Sequence, residues 1–381
     1  MITGIIAEYD PFHKGHAFLA AKAREAGAGC VAAVMSGNVT QRGEFACFGK
    51  RERVRAALEC GIDLCIELPA PWACASAADF ARGGVSLLRA CGADTLLFGS
   101  ESGDADALKR AAEAVRRADG EAVRSAVRRG LTYPDALAES VGGEAASLLA
   151  GPNNLLGIEY INAAAELAPD MSITTVRRAG AGHGEGENGC FASAGFIRGK
   201  AREGKDFARL LPDGCAEIFA DSPVSDPAAA DRTLLHLLRG MSAEDIAEID
   251  GVTEGLENRV VKAAAGAERF ADVAALVKSK RYTLARIRRL LLRCLIGIKR
   301  GTLPPLPPYV RVLGLNGRGA QALNAIKKTV PLLTKPADFD KLDADGRTVF
   351  AYELKAADLY ALTLPPAPAG AEMRYTPVVV K

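Results

Sequence analysis

Two imidazoles, His13 and His16, flank Gly15 in the segment "AEYDPFHKGH" (7–16), which follows an apolar run and leads straight into a helical pattern. The chain has four histidines in all, so two of them in one turn is a concentration of chemistry. A helix start has backbone N–H groups without partners, and its dipole favours negative charge. Imidazoles placed there can donate to phosphate oxygens as those gain charge during displacement at phosphorus. Gly15 lets a ligand or the next element approach the backbone closely. The same residues also read as a surface turn that happens to carry two histidines.

Other polar groups follow other apolar runs. "MSGNVTQRGEF" (35–45) sets Ser36, Gly37, Asn38, Gln41 and Arg42 after one of them. Lys50 and Arg51 open the next helix, where cations sit poorly against the dipole, so an anionic ligand is expected nearby. In "FGSE" (98–101), Gly99 and Ser100 leave room for a nucleobase or ribose against the backbone. Asn153, in "PNN", offers its amide to a ribose or a base edge. Arg177 and Arg178 end a further run, and strand alternation turns one of them toward the ligand side. In "ASAGFIR" (192–198), Ser193 reads as a helix cap, with Arg198 about one and a half turns along. A mobile loop closing over a triphosphate would use that pair. Each group has an ordinary alternative as a turn, a cap or a solvated charge.

These residues need a scaffold. Strands are expected at 2–9, 30–35, 64–69, 95–100 and 172–179, with helices at 14–27, 48–61 and 76–91 between the early ones. Short apolar runs separated by helices predict a doubly wound α/β domain with a parallel sheet, whose ligands lie beyond the carboxyl ends of the strands. The stretch 103–170 reads as mainly helical. A glycine-rich loop with His183 follows 172–179. Beyond about 205 helices alone are expected: 227–240, 243–250, 255–268 and 282–298. "LPPLPPY" (303–309) marks a linker or rigid turn, and the tail carries "YVRVLGL", a short helix near 317–328 and an extended end. The expected division is a catalytic α/β domain over 1–204 and a mainly helical, basic region over 205–381.

The 381 residues are 49% hydrophobic and 25% charged with a net charge of +2, as in ordinary globular proteins, so whole-chain charge names no partner. There is no leader-like opening and no apolar run of ~18 residues, so no membrane span is expected. Nine cysteines without a CxxC pair read as reduced thiols in a cytoplasmic protein. One region differs in kind. "KSKRYTLARIRRLLLRCLIGIKR" (278–300) holds nine basic residues and no acidic one. Arg281, Arg288 and Arg289 alternate with leucines at helical spacing, and Tyr282 is available to stack on a base. That suits a polyphosphate backbone. Pairing with acidic helices such as 243–250 is the intramolecular alternative.

"GIIAEYDPFHKGH", "MSGNVTQRGEF", "IELP", "FGSE", "PNNLLGIEY", "RRAGAG", "SAGFIR" and "RYTLARIRRLLL" occur in this order over nearly the whole chain. Together they resemble the bacterial tRNA(Met) cytidine acetate ligases, within the HxGH nucleotidyltransferase superfamily shared with class I aminoacyl-tRNA synthetases. The resemblance implies an enzyme that activates acetate with ATP and passes the acetyl group to N4 of the wobble cytidine of elongator tRNA(Met). It also implies Mg2+ accompanying the triphosphate, held mostly by phosphate and water oxygens. Carried over by position, the ATP-contacting segment falls on Ile6, Ala7, Glu8, Tyr9, Asp10, Pro11, Phe12, His13, Lys14, Gly15, His16, Ala17, Phe18 and Leu19. Further nucleotide contacts fall on Gly99, Asn153 and Arg178. His13, His16, Ser193 and Arg198 are the implied catalytic group. The chain departs from the family where Asp10 and Lys14 stand in place of the usual Asn, and "GAGHGE" shifts His183 by one place. Two alternatives stay open: a small-molecule adenylyl- or cytidylyltransferase, which leaves the basic half unexplained, and a non-catalytic RNA-binding protein on the same fold.

Overall fold

Apolar runs without polar alternation fold into strands covered on both faces, and the first four strands here are of that kind. β1 (Ile2–Ala7), β2 (Cys30–Ser36), β3 (Leu64–Leu68), β4 (Thr95–Ser100) and β5 (Ser172–Arg177) lie in the order β3-β2-β1-β4-β5, all parallel. The computed structural model describes the chain except residues 179–186, 189, 190, 254, 281 and 326–329. His183 and Arg281 therefore lie outside the described residues.

Alternation sends neighbouring side chains to opposite layers. Ile5 packs with Val31, Ala33 and Met35 in one core, and Ile6 with Ala32, Val34 and Leu64 in the other. The crossovers run through α1 (Lys14–Glu25), α2 (Lys50–Glu59) and α3 (Ala77–Ala90), and α4 (Pro152–Leu167) leads to β5. The strand order reverses direction between β1 and β4. A crevice therefore opens at their carboxyl ends, where this class of sheet binds nucleotides. α4 lies so close to β4 that Gly157 has no room for a methyl group: an added Cβ would clash with the Phe98 ring. Gly157→Ala is expected to cost about 1–3 kcal/mol through overpacking, measured by denaturant unfolding.

Beyond 205 the chain does not remain helical. β6 (Val310–Leu315) returns to the same sheet antiparallel to β3, β7 (Leu332–Leu333) pairs with β6, and β8 (Val378–Val379) pairs with its other edge. The sheet thus takes strands from both sides of residue 204. Five of the six β6 positions are buried, Arg311 among them, so a cation interrupts the apolar run that would announce the strand. Two helices absent from the sequence expectation, Phe270–Val277 and the 18-residue Ala344–Ala361, pack in the same half. The second buries Glu353 among its apolar positions, which breaks the amphipathic pattern that would reveal it. Among the described residues no helix is long and apolar enough to cross a membrane.

Candidate active site

β1 ends at Ala7, and the loop to α1 is set by aromatic packing and one strained residue. Tyr9 has φ of 48°, a left-handed conformation rare for a bulky side chain. Its ring packs edge-on against Phe12 at 4.8 Å and His16 at 4.9 Å. Ile6, Tyr9 and Phe12 are core residues. They are the apolar anchors of the expected ATP-contacting segment. The Lys14 ammonium points elsewhere and donates to the Arg209 carbonyl at 2.7 Å.

The two histidines cap α1 reciprocally. Gly15 N–H donates to His13 Nδ1 at 3.1 Å, and His13 N–H donates to His16 Nδ1 at 3.2 Å. Since both Nδ1 atoms accept, the proton of each neutral ring sits on Nε2. The rings stack with centroids 3.7 Å apart and 19° between planes. Burial, and then the charge of Arg178, pulls His13 down to about 3. Burial, His13 and Arg178 likewise hold His16 well below the usual range. Both rings therefore stay neutral at physiological pH, as paired Nε2–H donors.

Arginines from different elements act on this pair or on its neighbours. Arg178 donates to Asn153 Oδ1 at 3.0 Å. Asn153 donates through Nδ2 to Glu101 Oε1 at 2.6 Å, and the backbone N–H groups of Asn153 and Asn154 also end on the Glu101 carboxylate. Glu101 thus caps α4 from the end of β4 and brings Gly99, Asn153 and Arg178 together. A Cβ on Gly99 would press on the Arg178 side chain at 3.3 Å. α5 (Ala194–Arg202) starts at Ser193, whose Oγ accepts from Phe196 N–H at 3.2 Å. Arg198 is buried on α5 and donates to the Asp10 carbonyl at 2.8 Å, with the Asp10 carboxylate 3.7 Å away. The loop after β2 supplies Arg42, whose charge acts on both Glu8 and Arg178. Burial raises the Glu8 carboxyl above its ordinary range against the pull of Arg42, and its Oε1 accepts from Gln41 N–H at 2.7 Å.

Arg53 is the residue that sequence reading missed. Fully buried, it donates to the carbonyls of Phe48, Glu8, Ser36 and Gly37, and so fixes the ends of β1 and β2. Its one signal was a cation on the apolar side of "KRERVRAALE". Glu101 gave none, because its partner helix starts some fifty residues later in the chain.

Two expectations are corrected, an anionic ligand beside Lys50 and a base stacked on Tyr282. The anion beside Lys50 is the protein's own: Lys50 is buried 2.5 Å from Glu67, 2.7 Å from Glu372 and 3.6 Å from Glu353. Arg311 completes that cluster against Glu67 and Glu372. In the basic helix α6 (Leu284–Ile296), Arg288 pairs with Glu44, and Arg289 donates to the Gln41 carbonyl at 2.9 Å. Arg293 pairs with Asp250, just past the acidic helix Ala243–Ala247, as the intramolecular reading required. Tyr282 is not free to stack on a base, being 5% exposed with its hydroxyl 3.1 Å from Thr253. Much of this positive charge clamps α6 onto the β2 loop, because helix packing places the arginines over carbonyls.

The arrangement combines two neutral N–H donors, a helix start and converging guanidiniums around a crevice. It suits a polyphosphate, and among the described residues there is no Ser-His-Asp or Cys-His arrangement to form a covalent intermediate. The family model HIGH Nucleotidyl Transferase matches residues 1–373. A tRNA(Met) cytidine acetate ligase of Caldicellulosiruptor saccharolyticus is 34% identical over 375 residues, covering 94% of this chain and 93% of that one. That of Syntrophotalea carbinolica is 36% identical over 397 residues, covering 95% and 94%. The crystal structure of Thermotoga maritima TmcAL bound with alpha-thio ATP superposes over the full length of both chains with a TM-score of 0.88 at 28% identity.

Proposed function

The chain belongs to the HIGH nucleotidyl transferase family and, within it, to the tRNA(Met) cytidine acetate ligases, and from that premise we propose how its residues act. ATP lies across the β1/β4 crevice with its phosphates at the start of α1. Acetate attacks the α-phosphorus and displaces pyrophosphate. The Nε2–H groups of His13 and His16 donate to the phosphate oxygens, whose charge grows in that step. Arg178 and Arg198 offset the repulsion between carboxylate and triphosphate. The cytosine N4 amine then attacks the acetyl carbonyl of the mixed anhydride and releases AMP, giving N4-acetylcytidine. A wobble base sits in a single-stranded loop, so it can be turned into the crevice at modest cost.

The observation that carries this reading is the stacked, neutral imidazole pair at the α1 start with Arg178 beside it. Magnesium fits through the nucleotide: these donors suit anions, so phosphate and water oxygens would hold the ion and help neutralise the triphosphate. In the test, the protein is incubated with ATP, labelled acetate and elongator tRNA(Met). Labelled acetylcytidine with AMP and pyrophosphate is expected. Labelling that needs acetyl-CoA in place of acetate and ATP would sink the proposal. Arg178→Ala is expected to raise KM for ATP by about tenfold or more, the worth of a charge-assisted hydrogen bond, in steady-state kinetics.

A further inference from the structure

A cleft of about 530 Å³ opens beside the crevice, with Gln41, Tyr133, Leu155, Arg286, Arg289 and Arg293 in its walls. The three arginines stand at i, i+3 and i+7 on α6, so one helical face turns them all toward it. Arg293 has Asp250 as counter-charge. Arg289 is half-buried, and among the described residues no carboxylate lies within ion-pair distance of it. Burial, with Arg293 and Arg286 beside it, pulls its guanidinium down to about 10. Such a site is relieved by an anion.

The lining also supplies an aromatic ring. Tyr133 is 55% exposed, and among the described residues it is the one aromatic among the exposed large hydrophobic side chains. Leu155, two residues past Asn153 on α4, adds an apolar floor. Glu159 and Asp79 also border the cleft. Asp79 accepts from the Ser76 hydroxyl at 2.7 Å, and burial and Asp79 raise the Glu159 carboxyl. Gln41, in the cleft lining, links it by hydrogen bonds to the histidine loop. Gln41 accepts from Arg289 through its carbonyl, and its N–H donates to Glu8 in the histidine loop.

We propose that this cleft binds one nucleotide of the RNA substrate next to the cytidine being acetylated, with its phosphate on Arg289 and its base against Tyr133. This rests on the tRNA reading above. A ring facing a cationic wall is how single-stranded nucleic acid is gripped without regard to base identity. Nothing in the ATP reaction uses either residue.

The test uses the full chain with an anticodon stem-loop carrying 4-thiouridine beside the acetylated cytidine. Cross-links are mapped by mass spectrometry, and RNA affinity is measured against salt. The expected cross-link falls on the peptide containing Tyr133. Tyr133→Ala weakens RNA binding by about tenfold. Arg289→Ala lowers the slope of log affinity against log salt by about one unit, and Arg289→Lys restores it. If RNA is bound and acetylated while cross-links fall elsewhere and Tyr133→Ala binds normally, the cleft assignment alone is overturned. If the wild-type protein neither binds nor acetylates the RNA, the tRNA reading and this inference fall together.

Discussion

His13→Asn is expected to leave the fold intact and to slow acetyl-adenylate formation by about 10²–10³-fold, the usual cost of removing one donor to a developing anion. Histidine serves twice in the proposal: Nδ1 caps α1, and Nε2–H is the donor assigned to the phosphate. Asparagine is a good cap residue, so the first role survives and the second is lost. His13→Ala removes both, and adds about 1 kcal/mol of lost capping to a similar fall in rate. His16→Ala should match it in rate, since the two rings act as a stacked unit. Pyrophosphate exchange measures the rate and urea unfolding the stability. If His13→Asn exchanges at the wild-type rate, the histidines are structural only.

The imidazoles also fix a pH signature. With His13 at about 3 and His16 well below its ordinary value, neither ring titrates between pH 6 and 8, so adenylate formation has no imidazole inflection there. Stability responds on the acid side. The unfolded chain takes up protons near pH 6.5 that the folded rings refuse, so stability falls as pH drops from about 6.5 toward 3.

The buried cluster below the β2 and β3 ends should show the largest stability effects. Lys50→Met leaves Glu67 and Glu372 buried with one cation fewer, and is expected to cost about 3–5 kcal/mol in denaturant unfolding. A cost below about 1 kcal/mol would show the cluster to be solvated. Glu353 behaves in the opposite sense. Burial and the neighbouring Glu67 push its carboxyl up to about 8, and its Oε1 has no hydrogen-bond partner. The folded state therefore keeps a proton that the unfolded chain releases near 4.5. Stability from this group is whole below that value and is lost as pH rises through 8. Glu353→Gln, neutral at every pH, should remove that decline. Relative to the wild type, the gain should grow from pH 5 to 8.5 to at most about 4 kcal/mol. Parallel pH profiles of the two proteins would disprove the assignment.

The sequence determined the local parts of this protein. Apolar runs without alternation marked β1 to β4, and the histidines marked the strand-to-helix turn to which the proposed reaction assigns the phosphates. Hydrophobic period and capping act over a few residues, so both are legible along a chain. The cation partners were decided by tertiary structure. Lys50 faces three carboxyl groups drawn from β3, α7 (Ala344–Ala361) and the segment near Glu372, and Arg198 turns to Asp10 across 188 residues. α6 shows the limit most plainly. Its stripe of arginines is visible in the sequence, but whether each one meets solvent, a carbonyl or a carboxylate depends on the β2 loop brought against it. β6 was hidden for a related reason: its short run carries Arg311, a cation that can be buried in a strand only because Glu67 and Glu372 are brought to it from distant parts of the chain.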